Sequence, residues 1–333
     1  MTNPDLFLLR CIKMGVSDDT AQEYRQIILS LKSWLEQRGV SLNDAKQQDL
    51  RKYLNHLIRT DQNSIDSVLV LNEYYFAAGR IDLMVYFSEI TDFILVFDDI
   101  IDRVEELAGW EVANAIRCVD PSPPVGTDPH ALPAYTARFL GLLFRTLPMD
   151  VVRKALQEKD GGIIPISYKT ELSLYQNSVS MDEYLFASAR LAEIKYRAML
   201  YAGSRWSSLF FPKKYVDSVS LFQEMLSGVR RGDTIFVTQE PLLPGPYQKA
   251  KSLARRRYYA CRDPFVRASL LKDEPTVSVV WCERCVCRCK RRFEYLLGRP
   301  LRAEVLECAL LGDTLCRFAV HLDEAAPDLK SKE

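Results

Sequence analysis

A long apolar run that ends in three aspartates constrains this chain more than any other stretch. From Ile81 to Val96 most residues are large and hydrophobic, so the run is apolar on nearly every face and predicts a buried helix. Asp82, Glu89 and Asp92 interrupt it, and charged side chains are strongly disfavoured at the centre of a bilayer. The run is therefore predicted to lie in a protein core and not in a membrane.

The run leads directly into a D-D-x-x-D motif formed by Asp98, Asp99 and Asp102. If the helix continues through the motif, the three carboxylates crowd one patch of its surface. Like charges at this spacing repel each other, and near the end of the helix they would also meet the negative end of its dipole. A bound cation would reverse both effects, and Mg²⁺ is the natural candidate because it combines carboxylate, water and phosphate ligands. The alternative is an acidic face that is simply solvated.

An apolar helix followed by this motif resembles the first metal-binding motif of class I terpene synthases. The approach Ile94–Phe97 is most similar to the trichodiene synthase-like sesquiterpene cyclases of fungi, and the resemblance extends over about 65–300. It implies an all-α fold, a helical bundle around a central apolar cavity with the carboxylates at its mouth. The expected organisation is N-terminal helices over 5–60, a catalytic core over 65–300 and a disordered tail over 323–333.

Composition agrees with an ordinary globular protein. The 333 residues are 48% hydrophobic and 26% charged, with 44 basic and 44 acidic side chains, so no nucleic-acid partner is predicted. No linker rich in glycine, serine or proline is evident, which favours a single domain over 1–333. The absence of a secretory leader pattern, together with nine cysteines, predicts reduced thiols in the cytoplasm.

Local patterns predict helices along most of the chain. Two or three amphipathic helices are expected within 5–60, and an aromatic-rich apolar stretch over 65–79 ends at a glycine. Several prolines predict a loop over 119–133, after which 134–158 and 167–205 return to helical periodicity. Strand signals are scarce, so the residues favour an all-α class even without the resemblance.

A second metal motif of the same family, N-D-x-x-S-x-x-x-E, is only partly present at 216–224. Asp217, Ser220 and Glu224 keep the spacing that would offer a carboxylate, a hydroxyl and a second carboxylate to one ion. Val216 stands where the family has its asparagine ligand, and valine cannot bind a metal. Alternatively, Ser208–Lys214 resembles a segment upstream of this motif, which would mean that the motif's helix is missing through a faulty gene prediction.

Three basic stretches resemble diphosphate contacts of the family. Lys290–Phe293 is similar to a C-terminal R-Y pair, with phenylalanine replacing the tyrosine, and Arg292 can still bind phosphate. Arg190 is the candidate for the diphosphate-sensing arginine, with Arg197 as its rival. Arg230–Asp233 is similar to residues that follow the second motif, or else forms a solvated turn.

The resemblance implies a Mg²⁺-dependent sesquiterpene cyclase, a lyase that ionises farnesyl diphosphate and cyclises the resulting cation. Its expected partner is an isoprenyl diphosphate, with no nucleic acid and no membrane span, and a homodimer is left open. The second hypothesis is a catalytically impaired relative, or a chain altered by a gene-prediction error, that acts as a non-catalytic helical binding protein. A chain-elongating prenyltransferase would require a second aspartate-rich motif, which the sequence lacks.

Four closely spaced cysteines, Cys282, Cys285, Cys287 and Cys289, suggest zinc. The C-x-x-C spacing supplies only half a zinc site, and no second pair follows at the usual distance. Buried or partly buried thiols on a helix are therefore the favoured interpretation.

Overall fold

The computed structural model describes residues 4–91, 94–119, 122–157, 166–201 and 223–322. The chain divides into two compact units, Met1–Asp99 with Pro121–Tyr135 and Ile100–Asp120 with Thr136–Glu333. Each unit has its own apolar core. The single-domain organisation over 1–333 stays a prediction, and the predicted tail 323–333 lies outside the described residues.

The first unit is built on consecutive helices whose ends follow from local chemistry. Ser17 and Ser64 begin two of them, because each hydroxyl accepts a hydrogen bond from a backbone N–H three residues later, at 3.2 and 3.1 Å. The helices expected within 5–60 are present, and the aromatic-rich apolar stretch over 65–79 forms one further helix. The helices are α1 (Pro4–Lys13), α2 (Asp18–Glu36), α3 (Gln47–Arg59), α4 (Ile65–Ala77) and α5 (Ile81–Thr91).

Aromatic side chains hold this unit together. Trp34 of α2 meets Tyr53 of α3 edge-on, with ring centroids 5.4 Å apart. Tyr75 of α4 stacks on Phe87 of α5 at 5.9 Å, and both are almost fully buried. Such ring pairs contribute about 0.5–1.5 kcal/mol each beyond the area they bury. The aromatic-rich sequence of α4 is therefore explained by this core.

The apolar run does not form one continuous helix. α5 ends at Thr91, and α6 (Val96–Ala108) begins a new helix. Leu95 lies between them with a backbone φ of +76° and is 56% exposed. A left-handed backbone is unfavourable for leucine and is incompatible with a continuing α-helix. The prediction of one buried helix from Ile81 to Val96 is therefore wrong at Leu95.

The remaining helices lie mainly in the second unit, which also contains a small sheet. Predicted helical periodicity over 134–158 and 167–205 is confirmed for the described residues. The helices are α7 (Trp110–Val119), α8 (Leu132–Thr146), α9 (Met149–Leu156), α10 (Ile166–Gln176), α11 (Met181–Tyr201), α12 (Gln223–Leu226), α13 (Pro244–Lys249), α14 (Leu253–Ala260), α15 (Pro264–Arg267) and α16 (Glu283–Leu297). Short 3₁₀ segments occupy Ala268–Leu271, Val279–Cys282 and Ala309–Leu311. Across the described ranges, no helix is long and apolar enough to cross a membrane.

The sheet has four antiparallel strands in the order β1-β2-β4-β3. Ile235 pairs with Val320 at its centre, and both side chains are fully buried. Gly228 precedes β1 with φ +97°, and a Cβ there would lie 2.8 Å from Ile235, so only glycine fits. The strands are β1 (Val229–Arg231), β2 (Thr234–Thr238), β3 (Arg302–Glu307) and β4 (Arg317–His321).

This sheet contradicts the predicted all-α bundle around a central apolar cavity. Its strands are only three to six residues long, and a period of two over so few residues is hard to distinguish from helical spacing. A turn signal was nevertheless present, because Arg230–Asp233 contains the Gly-Asp loop that joins β1 to β2. That stretch is the hairpin turn, with Arg230 donating to the Gly232 carbonyl at 2.7 Å.

Candidate functional site

The three aspartates lie at the beginning of a helix. Asp98 and Asp99 are in the first turn of α6, and Asp102 follows one turn later. The beginning of a helix carries partial positive charge and stabilises carboxylates by about 0.3–1 kcal/mol each. From the sequence we expected the helix dipole to destabilise the three carboxylates, whereas here it stabilises them. The dipole therefore offsets part of the repulsion among the carboxylates without a cation.

Two of these carboxylates also have protein partners. Ser122 Oγ donates to Asp98 Oδ1 at 2.8 Å, and Arg117 Nη2 pairs with Asp102 Oδ1 at 3.2 Å. Among the described residues, no group of three or more histidine, cysteine, aspartate or glutamate side chains is arranged to hold a metal ion. The assignment of Mg²⁺ to Asp98, Asp99 and Asp102 stays a prediction.

The second predicted metal set is described only in part, because Asp217 and Ser220 lie outside the described residues. Glu224 lies on α12, where it accepts hydrogen bonds from Arg317 Nε at 2.6 Å and from Thr238 Oγ1 at 2.8 Å. Burial raises the pKa of the Glu224 carboxyl, but these hydrogen bonds lower it more, so the pKa lies below its ordinary value of 4.5. Glu224 thus ties α12 to β2 and β4.

The depressed pKa of Glu224 predicts how stability depends on pH. A carboxyl whose folded pKa is below its unfolded pKa stabilises the protein above about pH 4.5 and loses that contribution as the pH falls through the folded value. Glu224→Gln is therefore expected to lower the free energy of unfolding at pH 7 and to flatten its decline below pH 4.5. Urea unfolding of both proteins between pH 7 and pH 3 measures this; parallel pH profiles would contradict it.

Arg292 lies in a hydrogen-bonded network of the second unit. Its Nη2 donates to Glu171 Oε2 at 2.9 Å, to Ser188 Oγ at 2.8 Å and to Tyr184 Oη at 2.7 Å. Tyr184 in turn donates to Glu171 Oε2 at 2.5 Å, and burial raises the pKa of Tyr184 far above its usual value. Arg292 therefore joins α16 to α10 and α11. The predicted contact between Arg292 and a diphosphate stays a prediction.

The candidate diphosphate sensor and its rival bind the same carboxylate. Arg190 Nη1 lies 2.9 Å from Glu193 Oε2, and Arg197 Nη2 lies 2.9 Å from Glu193 Oε1. Glu193 is three residues after Arg190 and four before Arg197, so all three side chains share one face of α11. Glu193 is buried, whereas the Arg190 side chain is 58% exposed. Either arginine alone can keep Glu193 paired, and the sensing role of Arg190 stays a prediction.

These two environments predict different stability costs. Arg292→Met should destabilise the chain by about 1–3 kcal/mol, because Glu171 loses its cationic partner and Ser188 Oγ loses a hydrogen-bond donor in a half-buried network. Arg190→Met should change stability by less than about 0.5 kcal/mol, because Arg197 still pairs with Glu193. Urea unfolding at pH 7 compares them; equal costs would contradict the assigned roles.

A basic basin on the first unit is the feature that sequence analysis missed. It has a volume of about 460 Å³ and lies between the end of α2 and one face of α3. Arg38 covers the Trp34 ring, with its guanidinium carbon 3.6 Å from the ring centroid, and His56 stacks on the same ring at 6.4 Å. The lining residues are Trp34, Arg38, Lys52, Asn55, His56, Ile58 and Arg59.

The charge of this basin is uncompensated. Arg38, Lys52 and Arg59 are exposed, and none of them has an ion pair with a carboxylate in the part of the chain that the structure describes. No acidic side chain is among the lining residues. Arg38 is held in place by donating from Nη1 to the Trp34 carbonyl at 2.8 Å, and Arg59 by donating from Nε to the Asn55 carbonyl at 3.2 Å. The arrangement can bind an anion without breaking an existing ion pair.

A comparison with protein families bears on this part of the chain. Residues 8–78 match the model described as phage integrase, N-terminal SAM-like domain. The matched segment contains α2, α3 and α4 entirely, and all the residues that line the basin. Comparison with curated proteins and with solved structures gives no match.

The family match overturns the resemblance to terpene synthases. Three expectations are wrong: that the chain is a sesquiterpene cyclase, that it is a lyase and that it binds an isoprenyl diphosphate. The finding that overturns them is the match of residues 8–78 to an integrase domain. The bundle fold expected from that resemblance is wrong for the same reason and because of the sheet. The exclusion of nucleic acid as a partner is also wrong. It rested on a balanced total charge, which averages over the surface and cannot show a local excess.

A signal for the basin was present in the sequence. Lys52, Asn55, His56 and Arg59 follow the spacing i, i+3, i+4 and i+7, which places four polar side chains on one face of a helix. Among the charged and hydrogen-bonding side chains of the lining, Arg38 comes from a different region, just beyond the end of α2, next to Trp34. The stripe on α3 could therefore have been predicted, but its combination with Arg38 could not.

Proposed function

We propose that this chain binds duplex DNA through the basic basin of its first unit. The observation that carries the proposal is the position of Arg38, Lys52 and Arg59, which form an uncompensated basic surface within the segment similar to an integrase domain. An integrase acts on DNA, so the two observations support the same partner. The match ends at residue 78, and the proposal accordingly concerns DNA binding by this segment.

The chemistry of the basin suits the phosphate backbone. Arginine binds phosphate oxygens in a planar, bidentate manner, and lysine acts as a point charge. Each phosphate that is neutralised releases condensed counterions from the duplex, which supplies much of the binding free energy and makes it depend on salt. Asn55 and His56 add side chains that can hydrogen-bond to phosphate or sugar.

The basin is also supported by a rigid scaffold. Trp34 is 9% exposed and packs edge-on against Tyr53, which is itself buried. The position of Arg38 over the Trp34 ring is therefore set before any ligand binds, which lowers the entropic cost of the contact. Trp34 Nε1 is buried and has no hydrogen-bond partner in the described ranges.

The experiment is fluorescence anisotropy of a labelled duplex oligonucleotide titrated with the full chain at about 50–200 mM salt. Saturable binding is expected, with a slope of log K against log salt of about −2.7 or steeper if three phosphates are contacted. A sulfonated polyanion at equal charge serves as a competitor. Absence of binding at the lowest salt concentration, or binding that does not change with salt, would contradict the proposal.

A reducing, cytoplasmic compartment is the location that fits the cysteines. The described cysteines are free thiols, and five of them are buried: Cys261, Cys282, Cys287, Cys308 and Cys316. Protein thiols persist in compartments that glutathione and thioredoxin keep reduced.

A further inference from the structure

A cavity of about 320 Å³ lies in the first unit and is lined chiefly by residues of α1 and α4. It shares no lining residue with the basic basin, so it is a separate feature of the same unit. Its volume lies at the lower end of the roughly 300–1,000 Å³ that is typical of small-molecule sites. The cavity is therefore large enough for a ligand of one or two rings.

Three aromatic side chains line this cavity: Phe7 of α1, Tyr24 of α2 and Phe76 of α4. Phe7 is 3% exposed and meets Tyr74 edge-on with ring centroids 5.7 Å apart, so the core fixes its position. Phe76 is 40% exposed and lies at the opening. The face of an aromatic ring carries partial negative charge and attracts cations. These walls therefore favour an apolar ligand that carries a positive charge.

The charged side chains at the cavity also favour a cation. Asp66 and Glu73 of α4 are two turns apart on one face and supply two carboxylates, whereas Arg10 of α1 supplies one guanidinium. None of the three has an ion pair with another residue that the structure describes. Burial raises the pKa of Cys11, a thiol in the same lining, Glu73 raises it further, and Arg10 opposes Glu73 only in part. The carboxylates thus outweigh the guanidinium inside the cavity.

We propose that this cavity binds a lipophilic ammonium ion, in which an amine or quaternary ammonium group is carried on an aromatic or branched aliphatic body. The body packs against Phe7 and Val70, which are buried. The ammonium group lies at the opening, where Asp66 and Glu73 are exposed. An anion of the same shape would gain one guanidinium but would meet two carboxylates and three ring faces. The inference does not depend on DNA binding.

The test is isothermal titration calorimetry of the full chain at pH 7 and low salt, with three probes of similar shape. These are naphthylethylamine, which is protonated at this pH, the neutral naphthylethanol and the anionic naphthylpropanoate. The amine is expected to bind about tenfold more tightly than the carboxylate, with the alcohol between them. In about 1 M NaCl this ratio should fall to about threefold or less, because the Debye length is then about 3 Å.

Variants with one altered charge locate the bound amine. Glu73→Gln should weaken amine binding by about threefold, whereas Arg10→Gln should tighten it by about twofold, and neither should change binding of the alcohol. The matched control is Glu23→Gln, the same replacement at an exposed position of α2 outside the lining, which should leave all three affinities unchanged. Ala77→Phe fills the cavity from the end of α4 and should abolish binding of the amine and the alcohol.

Several results would overturn the proposal. They are no binding of the amine at millimolar concentration, tighter binding of the carboxylate than of the amine, and equal effects of Glu73→Gln and Glu23→Gln. Unchanged amine binding by a folded Ala77→Phe chain would place the probe outside the cavity. If Ala77→Phe does not fold by circular dichroism, the charge variants still decide, because Arg10, Glu23 and Glu73 are exposed and their replacement leaves the core intact.

Discussion

Replacing Arg38, Lys52 and Arg59 with glutamine is expected to weaken binding of duplex DNA by roughly 1,000-fold or more at low salt. Each side chain would lose a charge-assisted contact of about 1.5–3 kcal/mol with phosphate. The loss is not masked by rearranged ion pairs, because these three cations have none among the described residues. The slope of log K against log salt should become shallower by up to about 2.7, since three fewer counterions are released.

The matched control removes the same charge from elsewhere in the first unit. Arg10, Lys13 and Lys32 are exposed residues of α1 and α2 that do not line the basin. Their triple glutamine variant should weaken binding by less than about threefold, because these side chains lie outside the proposed contact surface, where salt screens exposed charges, and Lys32 is already paired with Glu36 at 3.8 Å. Anisotropy titrations of the three proteins, with circular dichroism to verify folding, make the comparison. Equal losses in both variants would mean that total charge alone attracts DNA and that the basin has no special role.

Trp281→Ala is expected to destabilise the second unit by about 3–5 kcal/mol. Trp281 is fully buried, and its ring centroid lies 5.2 Å from that of Phe265. Its Nε1 donates to Asp263 Oδ2 at 3.1 Å, while Asp263 Oδ1 accepts from the Phe265 backbone N–H at 2.9 Å and begins α15. Truncation therefore leaves a large cavity and removes the donor of a buried carboxylate oxygen.

Two further variants separate packing from hydrogen bonding at this position. Trp281→Phe keeps most of the ring but loses the donor to Asp263, so it should cost about 1–3 kcal/mol. Trp110→Ala truncates a tryptophan that is 61% exposed at the start of α7 and should change stability by less than about 0.5 kcal/mol. Urea unfolding followed by far-UV circular dichroism gives the free energies. A cost for Trp281→Ala no larger than that of Trp110→Ala would contradict the assigned role.

Local chemistry was sufficient to predict most of the helices. α2 begins after a serine with two aspartates behind it, and α4 begins after a serine and is followed by a glycine with φ +67°. These signals act between residues three or four apart, so they operate in any tertiary context. The helical spacing of Leu31 and Trp34 within α2 agrees with their burial on one face of that helix.

The same reasoning failed at the aspartate motif because the decisive event is a helix break. Hydrophobicity from Ile81 to Val96 indicates burial, but it does not specify whether one helix or two provide it. The positive φ of Leu95 places Asp98 at the beginning of a helix instead of its end, and this reverses the sign of the dipole interaction. A resemblance that depended on a continuous helix was therefore misleading.

By itself, the sequence determined the helices with local capping signals, the burial of the α16 cysteines and the basic stripe of α3. Only the tertiary structure decided the strand pairing, the assembly of Cys282, Cys308 and Cys316 into one buried cluster and the position of Arg38 beside that stripe. The physical reason is range: capping and periodicity act within one or two helical turns, whereas each of these other features joins residues that chain folding alone brings together.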